Sequence, residues 1–372
     1  MNNLSLYLHV PFCKGKCHYC DFYSLVEPGL IRDFEKALCR DLALFSSKAE
    51  DYEVKTVYFG GGTPSLLSPL GVREIFAVLK KEYRLSPKAE ITVEMNPESA
   101  TEEVLSAFFE SGANRISFGM QSAIDRELVL LGRRHRFSHV KEAVERARGI
   151  GFDNISLDLM YGLPDQNKEN VLESLEKALS LSPSHLSFYL LTLSDGVPLY
   201  EKRNEIPCDE VLQEMYFAIS RTLSEKGWEH YEISNASLSG LHSRHNSVYW
   251  DGGEYVGFGP GAHSLFQNKR FFVLDGVKEY VAAKDFETRL SEPEVRTDED
   301  VFTEYVMLSL RQEKGLSLER LSKLTDEKTV EKMEKEFSRL EQHGFCKKTN
   351  DGYALTKEGF FVSNEIISKL IF

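Results

Sequence analysis

The chain has 372 residues with a formal net charge of −13, and 42% of its residues are hydrophobic. This is the composition of a globular protein, and it excludes global disorder. The acidic balance argues against non-specific nucleic-acid binding, and the sequence contains no apolar run of membrane-spanning length and no signal-peptide pattern, so a cytoplasmic location is expected.

Six strand-like apolar runs recur in the first half of the chain, with helical segments between them. This alternation predicts an α/β core over residues 1–195, with a parallel sheet covered by helices. In such folds the working residues gather at the carboxyl ends of the strands. The predicted strands are Leu4–Val10, Val54–Phe59, Glu90–Glu94, Arg115–Gly119, Asn154–Met160 and His185–Leu191. The predicted helices cover about residues 30–48, 71–84, 101–111, 137–150 and 168–181.

The pattern changes after residue 195. Residues 196–290 predict an α+β extension that completes the site, with a helix at Asp209–Lys226. Leu290–Asp300 combines Glu-Pro-Glu with alternating charges and is predicted to be a linker. Residues 291–372 contain helices and a hairpin turning at Asp351-Gly352, which predicts a small winged-helix-like module. The acidic character of its longer helix favours a packing or partner role over DNA binding.

Three of the six cysteines, Cys13, Cys17 and Cys20, fall within eight residues after the first predicted strand. Such clustering indicates a metal or redox centre, not a disulfide framework. Three thiolates can each ligate one iron of a [4Fe–4S] cluster and leave the fourth iron open. Structural zinc is the alternative, but it takes four ligands, and His18 supplies the fourth only if the loop bends back.

The sequence around these cysteines resembles the radical S-adenosylmethionine (SAM) superfamily, and in particular its HemN/HemW branch. The matching motifs are Tyr7–Cys13, Cys17–Phe22, Gly60–Ser65, Arg115–Ser122 and Asp158–Pro164. The resemblance implies a partial (β/α)6 TIM-like barrel in the core. It also implies two cofactors, a [4Fe–4S] cluster on the three cysteines and SAM beside it.

The resemblance also assigns SAM-binding residues, which are Tyr7, Tyr19, Gly61, Gly62, Thr63, Glu94, Gln121, Arg133 and Asp158. The last three match positions that hold a second SAM molecule in anaerobic coproporphyrinogen oxidases. Glycines let backbone amides approach a ligand closely, so Gly62→Val is expected to block SAM while sparing the cluster. Without the resemblance, Glu94 reads as a salt-bridge residue and Arg133 as a solvated helix residue.

Two departures separate the chain from those oxidases. Their cysteine motif continues to a fourth cysteine where this chain has Phe22, and an extension precedes their core, whereas six residues precede Tyr7 here. Both departures match the haem-chaperone subgroup of the branch, as does the run His245-Asn246-Ser247-Val248-Tyr249-Trp250. The resemblance therefore implies a chaperone that binds haem and passes it to acceptor haemoproteins such as respiratory enzymes.

His245 is the candidate haem ligand, because imidazole is a strong axial ligand for haem iron. The alternative is that His245 and Asn246 satisfy buried backbone groups, and His242, His263 or a cysteine are further candidate donors. Two other functions stay open: a radical SAM enzyme that decarboxylates a porphyrinogen, and a structural zinc protein. A homodimer and transient contact with a membrane protein are compatible with the sequence, which does not determine either.

Overall fold

The computed structural model describes residues 1–371, and its main feature is a twelve-stranded sheet. The six central strands are parallel and follow one another in chain order, which confirms the predicted α/β core. They are Asn2–Val10 (β1), Tyr52–Gly61 (β2), Leu85–Met95 (β3), Arg115–Gln121 (β4), Asn154–Tyr161 (β5) and His185–Leu190 (β6).

Amphipathic helices connect these strands and bury apolar side chains such as Phe34 and Phe76 against the sheet. Side-chain caps mark several helix starts; for example, Ser68 accepts a hydrogen bond from the Gly71 N–H. The helices are Ile31–Phe45 (α1), Pro69–Glu82 (α2), Glu102–Ser111 (α3), Asp125–Leu130 (α4), Phe137–Ile150 (α5) and Lys168–Ser180 (α6). The sequence did not predict α4, because its six residues are too few to show helical periodicity.

The concave side of the central sheet is polar. Because side chains alternate along a strand, β4 directs Ile116 and Phe118 toward the helices and Arg115 and Ser117 toward the opposite side. Further buried polar residues on the central strands are Ser5, Thr56, Glu90, Thr92, Ser156 and His185. A polar interior offers hydrogen-bonding groups at every level of the barrel, from the amino to the carboxyl ends of its strands.

The extension adds strands to both edges of this sheet. One strand, Asn235–Ser237, pairs antiparallel with β6, and another, Tyr255–Phe258, pairs parallel with β1. In chain order the elements are Asp209–Glu225 (α7), Glu229–Glu232 (β7), Asn235–Ser237 (β8), Arg244–Trp250 (α8), Tyr255–Phe258 (β9), His263–Phe266 (β10), Lys269–Phe272 (β11) and Val277–Ala282 (α9).

The predicted linker Leu290–Asp300 is wrong in part. Glu294–Val295 (β12) pairs antiparallel with β11 as the edge strand of the large sheet, and the next helix already begins at Asp298. Backbone pairing here prevails over a charged composition, which suits a solvent-exposed edge strand as well as it suits a linker.

The C-terminal module has the predicted helices and hairpin, and its strands form a separate three-stranded antiparallel sheet. Its elements are Asp298–Ser309 (α10), Leu316–Ser317 (β13), Leu318–Leu321 (α11), Glu327–Gln342 (α12), Cys346–Lys348 (β14), Gly352–Leu355 (β15), Lys357–Phe361 (α13) and Ser363–Leu370 (α14). Among residues 1–371, no helix is both long and apolar enough to cross a membrane.

Candidate functional site

The three clustered cysteines lie on the loop that follows β1. The base of this loop is closed by two backbone hydrogen bonds: the Cys13 N–H donates to the Leu25 carbonyl at 2.9 Å, and the Leu25 N–H donates to the Pro11 carbonyl at 2.8 Å. The loop also docks on the segment after α4, where the His18 N–H donates to the Leu131 carbonyl at 3.0 Å. Backbone hydrogen bonds therefore hold the loop in place, so its thiols are not needed for that purpose.

A cavity of about 460 Å³ opens beside this loop at the carboxyl end of the barrel. That volume lies within the range of roughly 300–1,000 Å³ that is typical of small-molecule sites. All three clustered cysteines line it. The predicted SAM-binding residues that also line it are Tyr19, Gly61, Gly62, Thr63, Glu94, Gln121, Arg133 and Asp158. The structure thus gathers residues from β2, β3, β4, β5 and the cysteine loop around one space.

Two carboxyl groups share the wall of this cavity. The Tyr58 hydroxyl donates to Glu94 Oε1 at 2.7 Å, and the Ser117 hydroxyl donates to Asp158 Oδ1 at 3.0 Å. Burial raises the pKa of Glu94 to about 7, and the nearby charge of Asp158 adds to that effect. Burial also raises the pKa of Asp158. Two costly buried carboxyl groups suit a ligand that brings positive charge or hydroxyl donors.

Arg133 and Asn96 connect the cavity wall to the cysteine loop. Arg133 donates to Asn96 Oδ1 at 2.6 Å, and its Nη1 lies 3.5 Å from Cys17 Sγ. Asn96 Nδ2 in turn donates to Thr63 Oγ1 at 3.0 Å, and the Thr63 hydroxyl lies 3.5 Å from Cys13 Sγ. This chain of donors reaches two cysteine sulfurs, where hydrogen bonds stabilise thiolates and tune a bound cluster.

Two of the three glycines in the Gly-rich turn are required by packing before any ligand is considered. A Cβ on Gly62 would lie 2.6 Å from the Phe12 carbonyl oxygen, and the Gly62 N–H already donates to the Val10 carbonyl at 2.9 Å. Gly61 has a φ of +101°, and a Cβ there would meet the His9 ring at 2.6 Å. This packing argues against the expectation that Gly62→Val spares the cluster, because the branched side chain would press on the cysteine loop itself.

Tyr7 and His245, which the sequence also placed at the site, are not among the residues that line the cavity. Tyr7 lies behind its wall, with its ring stacked on Tyr58 at 6.2 Å. His245 is only 1% exposed, and its Nδ1 and Nε2 lie 2.7 Å from Thr56 Oγ1 and 2.8 Å from Tyr249 OH. In this conformation neither nitrogen is available to iron. The geometry instead matches the alternative in which His245 satisfies buried groups, here hydroxyls and not backbone.

Sequence reasoning missed three residues that hold site groups. Tyr58 and Ser117 donate to Glu94 and Asp158, and Asn96 links Arg133 to Thr63. Tyr58 could have been found from its position: it lies two residues before Gly60, so the two residues share the inward face of β2. Asn96 directly follows β3. Its place at a carboxyl strand end was the signal that it faces the site.

Comparison with known proteins identifies the family. The radical SAM superfamily model matches residues 7–178, and the HemN C-terminal domain model matches residues 297–362. The haem chaperone HemW of Bacillus subtilis is 33% identical over 376 residues, which cover 99% of each chain. That of Escherichia coli is 38% identical over 70% of this chain and 69% of its own. This chain belongs to the HemW family of radical SAM proteins.

The solved structures add a likeness in fold. The chain superimposes on a structure titled as coproporphyrinogen III oxidase (HemN) from Escherichia coli, a radical SAM enzyme, with a TM-score of 0.85. The superposition covers 99% of this chain and 90% of that one, at 20% sequence identity. At this identity the likeness establishes the arrangement of barrel, extension and C-terminal module, and nothing about the reaction.

Radical SAM proteins use a [4Fe–4S] cluster and SAM, and the residues present fit both. Among residues 1–371, no group of three His, Cys, Asp or Glu side chains is placed to hold a single metal ion. A cubane cluster instead takes each thiolate on a different iron, so it suits three sulfurs spread along one cavity wall. The carboxyl groups of Glu94 and Asp158 and the remaining cavity volume fit a cationic, hydroxyl-bearing molecule such as SAM.

Proposed function

We propose that this protein is a haem chaperone that holds a [4Fe–4S] cluster and SAM and passes haem to acceptor haemoproteins. The observation that carries the proposal is the likeness to a haem chaperone over 99% of both chains. The cavity lined by Cys13, Cys17 and Cys20 supports it. These three residues would hold the cluster. When bound, the cluster and SAM supply redox chemistry at this end of the barrel.

Two kinds of group in the cavity wall would recognise SAM, namely charged side chains and an aromatic ring. The carboxyl groups of Glu94 and Asp158 attract the amine and sulfonium and accept from ribose hydroxyls. Tyr19 packs against a small apolar cluster that includes Leu131 and Met160, and it offers an aromatic face for the adenine. The buried Arg133 Nε has no partner in the described part of the chain, so it is the donor left for a ligand carboxylate.

The apolar rim of the same cavity offers a surface for haem. Phe22, Tyr189 and Leu190 line the rim with 64%, 41% and 39% of their surface exposed. Exposed apolar side chains gathered at a cavity indicate a binding surface, and a flat macrocycle can cover all three. Lys16 lines the cavity next to them and offers an ammonium to a propionate, despite the net charge of −13.

The test is transfer of haem from the reconstituted protein to an apo-haemoprotein under anaerobic conditions. We expect the absorption spectrum of the loaded acceptor to appear, and to appear faster than with free haem at the same concentration. A parallel reaction supplies reductant, SAM and coproporphyrinogen III, and no protoporphyrinogen IX is expected. Formation of protoporphyrinogen IX without any haem transfer would overturn the proposal in favour of the decarboxylating enzyme.

A further inference from the structure

Helix α8 closes the amino end of the barrel, far from the cysteines. The N–H groups of Arg244 and His245 at its start donate to the Glu90 carboxylate at 3.0 and 2.9 Å. Glu90 pairs in register with Thr56, which contacts His245. Glu90 lies four residues before Glu94 on β3, which places the helix a layer below the cavity. The function proposed above leaves this helix and its buried histidine without a role.

The His245 ring lies against the residue that holds a cavity carboxyl group. It stacks on the Tyr58 ring at 4.9 Å with an interplanar angle of 27°, and Tyr58 donates to Glu94 Oε1. Tyr7 stacks on Tyr58 as well, with ring centroids 6.2 Å apart. A Cβ on Gly60 would come within 3.0 Å of both tyrosine rings and 3.2 Å of Glu94 Oε2, so the packing is tight. Tyr58 is therefore packed against the rings of both Tyr7 and His245.

We propose that His245 is a positioning residue of the SAM site, acting on Glu94 through Tyr58. Its two hydrogen bonds, to Thr56 and Tyr249, fix the plane of the imidazole, and the stacked imidazole fixes the phenol that donates to Glu94. The inference rests on the proposed function in one respect, namely that Glu94 contacts SAM. It gives the His-Asn-x-x-Tyr-Trp run a role in SAM binding, with no iron ligation by its histidine.

The structure provides a matched control for this histidine. His185 is also fully buried, and its Nδ1 and Nε2 lie 2.8 Å from Ser156 Oγ and 2.7 Å from Tyr231 OH. It has the same kind of partners as His245, one aliphatic hydroxyl and one phenol. Its ring contacts Tyr231 at 5.8 Å, on a different strand pair from Tyr58. His185→Ala thus measures the loss of stability when a buried imidazole with two hydrogen bonds is removed and Tyr58 is left undisturbed.

The experiment measures SAM affinity by calorimetry in cluster-loaded protein, together with melting temperature and the haem spectrum. We expect both histidine variants to melt lower, but only His245→Ala to lose SAM affinity, by about tenfold, the effect of one misplaced charged hydrogen bond. In a Tyr58→Phe background, which lacks that bond, His245→Ala should cost little further affinity. If His245 had only a structural role, the effects of the two substitutions on SAM affinity would be additive and not coupled.

Several outcomes overturn the inference. Equal SAM affinity in His245→Ala and the wild type, or an additive loss in the double variant, removes the path through Tyr58. An unchanged SAM affinity with a shifted Soret band makes His245 a haem ligand instead. If His245→Ala does not fold, the Tyr58→Phe variant is sufficient by itself: unchanged SAM affinity in that variant overturns the inference. Wild-type protein that binds no SAM at all refutes the proposed function and the inference with it, which separates that failure from the others.

Discussion

The two ends of the barrel hold similar polar side chains, but they differ in whether the protein itself supplies all of the hydrogen-bond partners. At the amino end His245 is bonded to both Thr56 and Tyr249, and Glu90 accepts from the first amides of α8. At the carboxyl end the polar groups surround a cavity of about 460 Å³ and retain unused bonding capacity. Glu94, for example, accepts from Tyr58 and still borders open space.

The difference between the ends explains which motif residues are accessible to a ligand. A group whose partners are all supplied by the protein contributes to stability, whereas a buried group with spare capacity is costly until a ligand arrives. His245 belongs to the first kind and Glu94 to the second, although both lie in motifs that resemble those of the family. The substitutions below test this division between a binding end and a supporting end.

The largest expected effect is at the cysteines of the open end. Replacing Cys13, Cys17 or Cys20 by Ala should remove the visible absorption of the cluster and most of the iron, since each sulfur ligates one iron. Cys39→Ala is the control, because Cys39 lies on α1 away from the cavity. A triple variant that keeps about four irons per chain would contradict the assignment.

The second effect tests how closely the Gly-rich turn supports the cysteine loop. Gly62→Val should lose cluster as well as SAM, because its Cβ would meet the Phe12 carbonyl oxygen at 2.6 Å. Overpacking of this kind costs roughly 1–3 kcal/mol of stability. Gly149→Ala is the control: no atom lies within 4 Å of its added Cβ, and it replaces a glycine inside α5, so it should melt slightly higher. Normal iron content in Gly62→Val would restore the expectation from sequence.

The third effect is a pH dependence that only the open end should show. Glu94 has its pKa raised from 4.5 to about 7 by burial, so it is increasingly protonated below about pH 7. A cationic ligand binds the carboxylate, and SAM affinity should therefore rise between pH 6 and 8, by up to about tenfold per unit below the pKa. For the same reason the contribution of Glu94 to the free energy of unfolding falls as the pH rises from 4.5 to about 7.

Glu94→Gln should weaken SAM binding at pH 8 and flatten the profile. Asp158 faces the same space and burial raises its pKa as well, so Asp158→Asn is the matched variant. If SAM affinity in Glu94→Gln depends on pH as steeply as in the wild type, the titrating group is not Glu94.

The fold and most of the site could be predicted from the sequence, for different reasons. Hydrophobic periodicity locates β1–β6 and their helices because each must bury one face. The three cysteines and Glu94 are found because they stand at strand ends, where parallel strands bring distant residues together. Hydrogen-bond partners have no such signature. The bonds from Tyr58 to Glu94 and from Asn96 to Arg133, and the occupied nitrogens of His245, depend on three-dimensional packing.

The smallest expected effect concerns haem at the apolar rim. Phe22 is 64% exposed beside the cysteines, so covering it with a macrocycle removes apolar surface from water. Phe22→Ala should weaken haem binding by about fivefold, which corresponds to burial of part of one aromatic side chain. SAM affinity should hold, since the substitution leaves the carboxyl groups of Glu94 and Asp158 unchanged.

Leu44→Ala on the outer face of α1 is the control for nonspecific haem adsorption, because Leu44 is also exposed, at 49%, but does not line the cavity. Haem affinity is measured by the Soret band during titration of cluster-loaded protein. Equal losses in the two variants would mean that haem adheres to any exposed apolar side chain. A loss in neither would move the haem site away from the cavity. A loss in Phe22→Ala alone places haem at the open end, which is also the proposed site of the cluster and SAM.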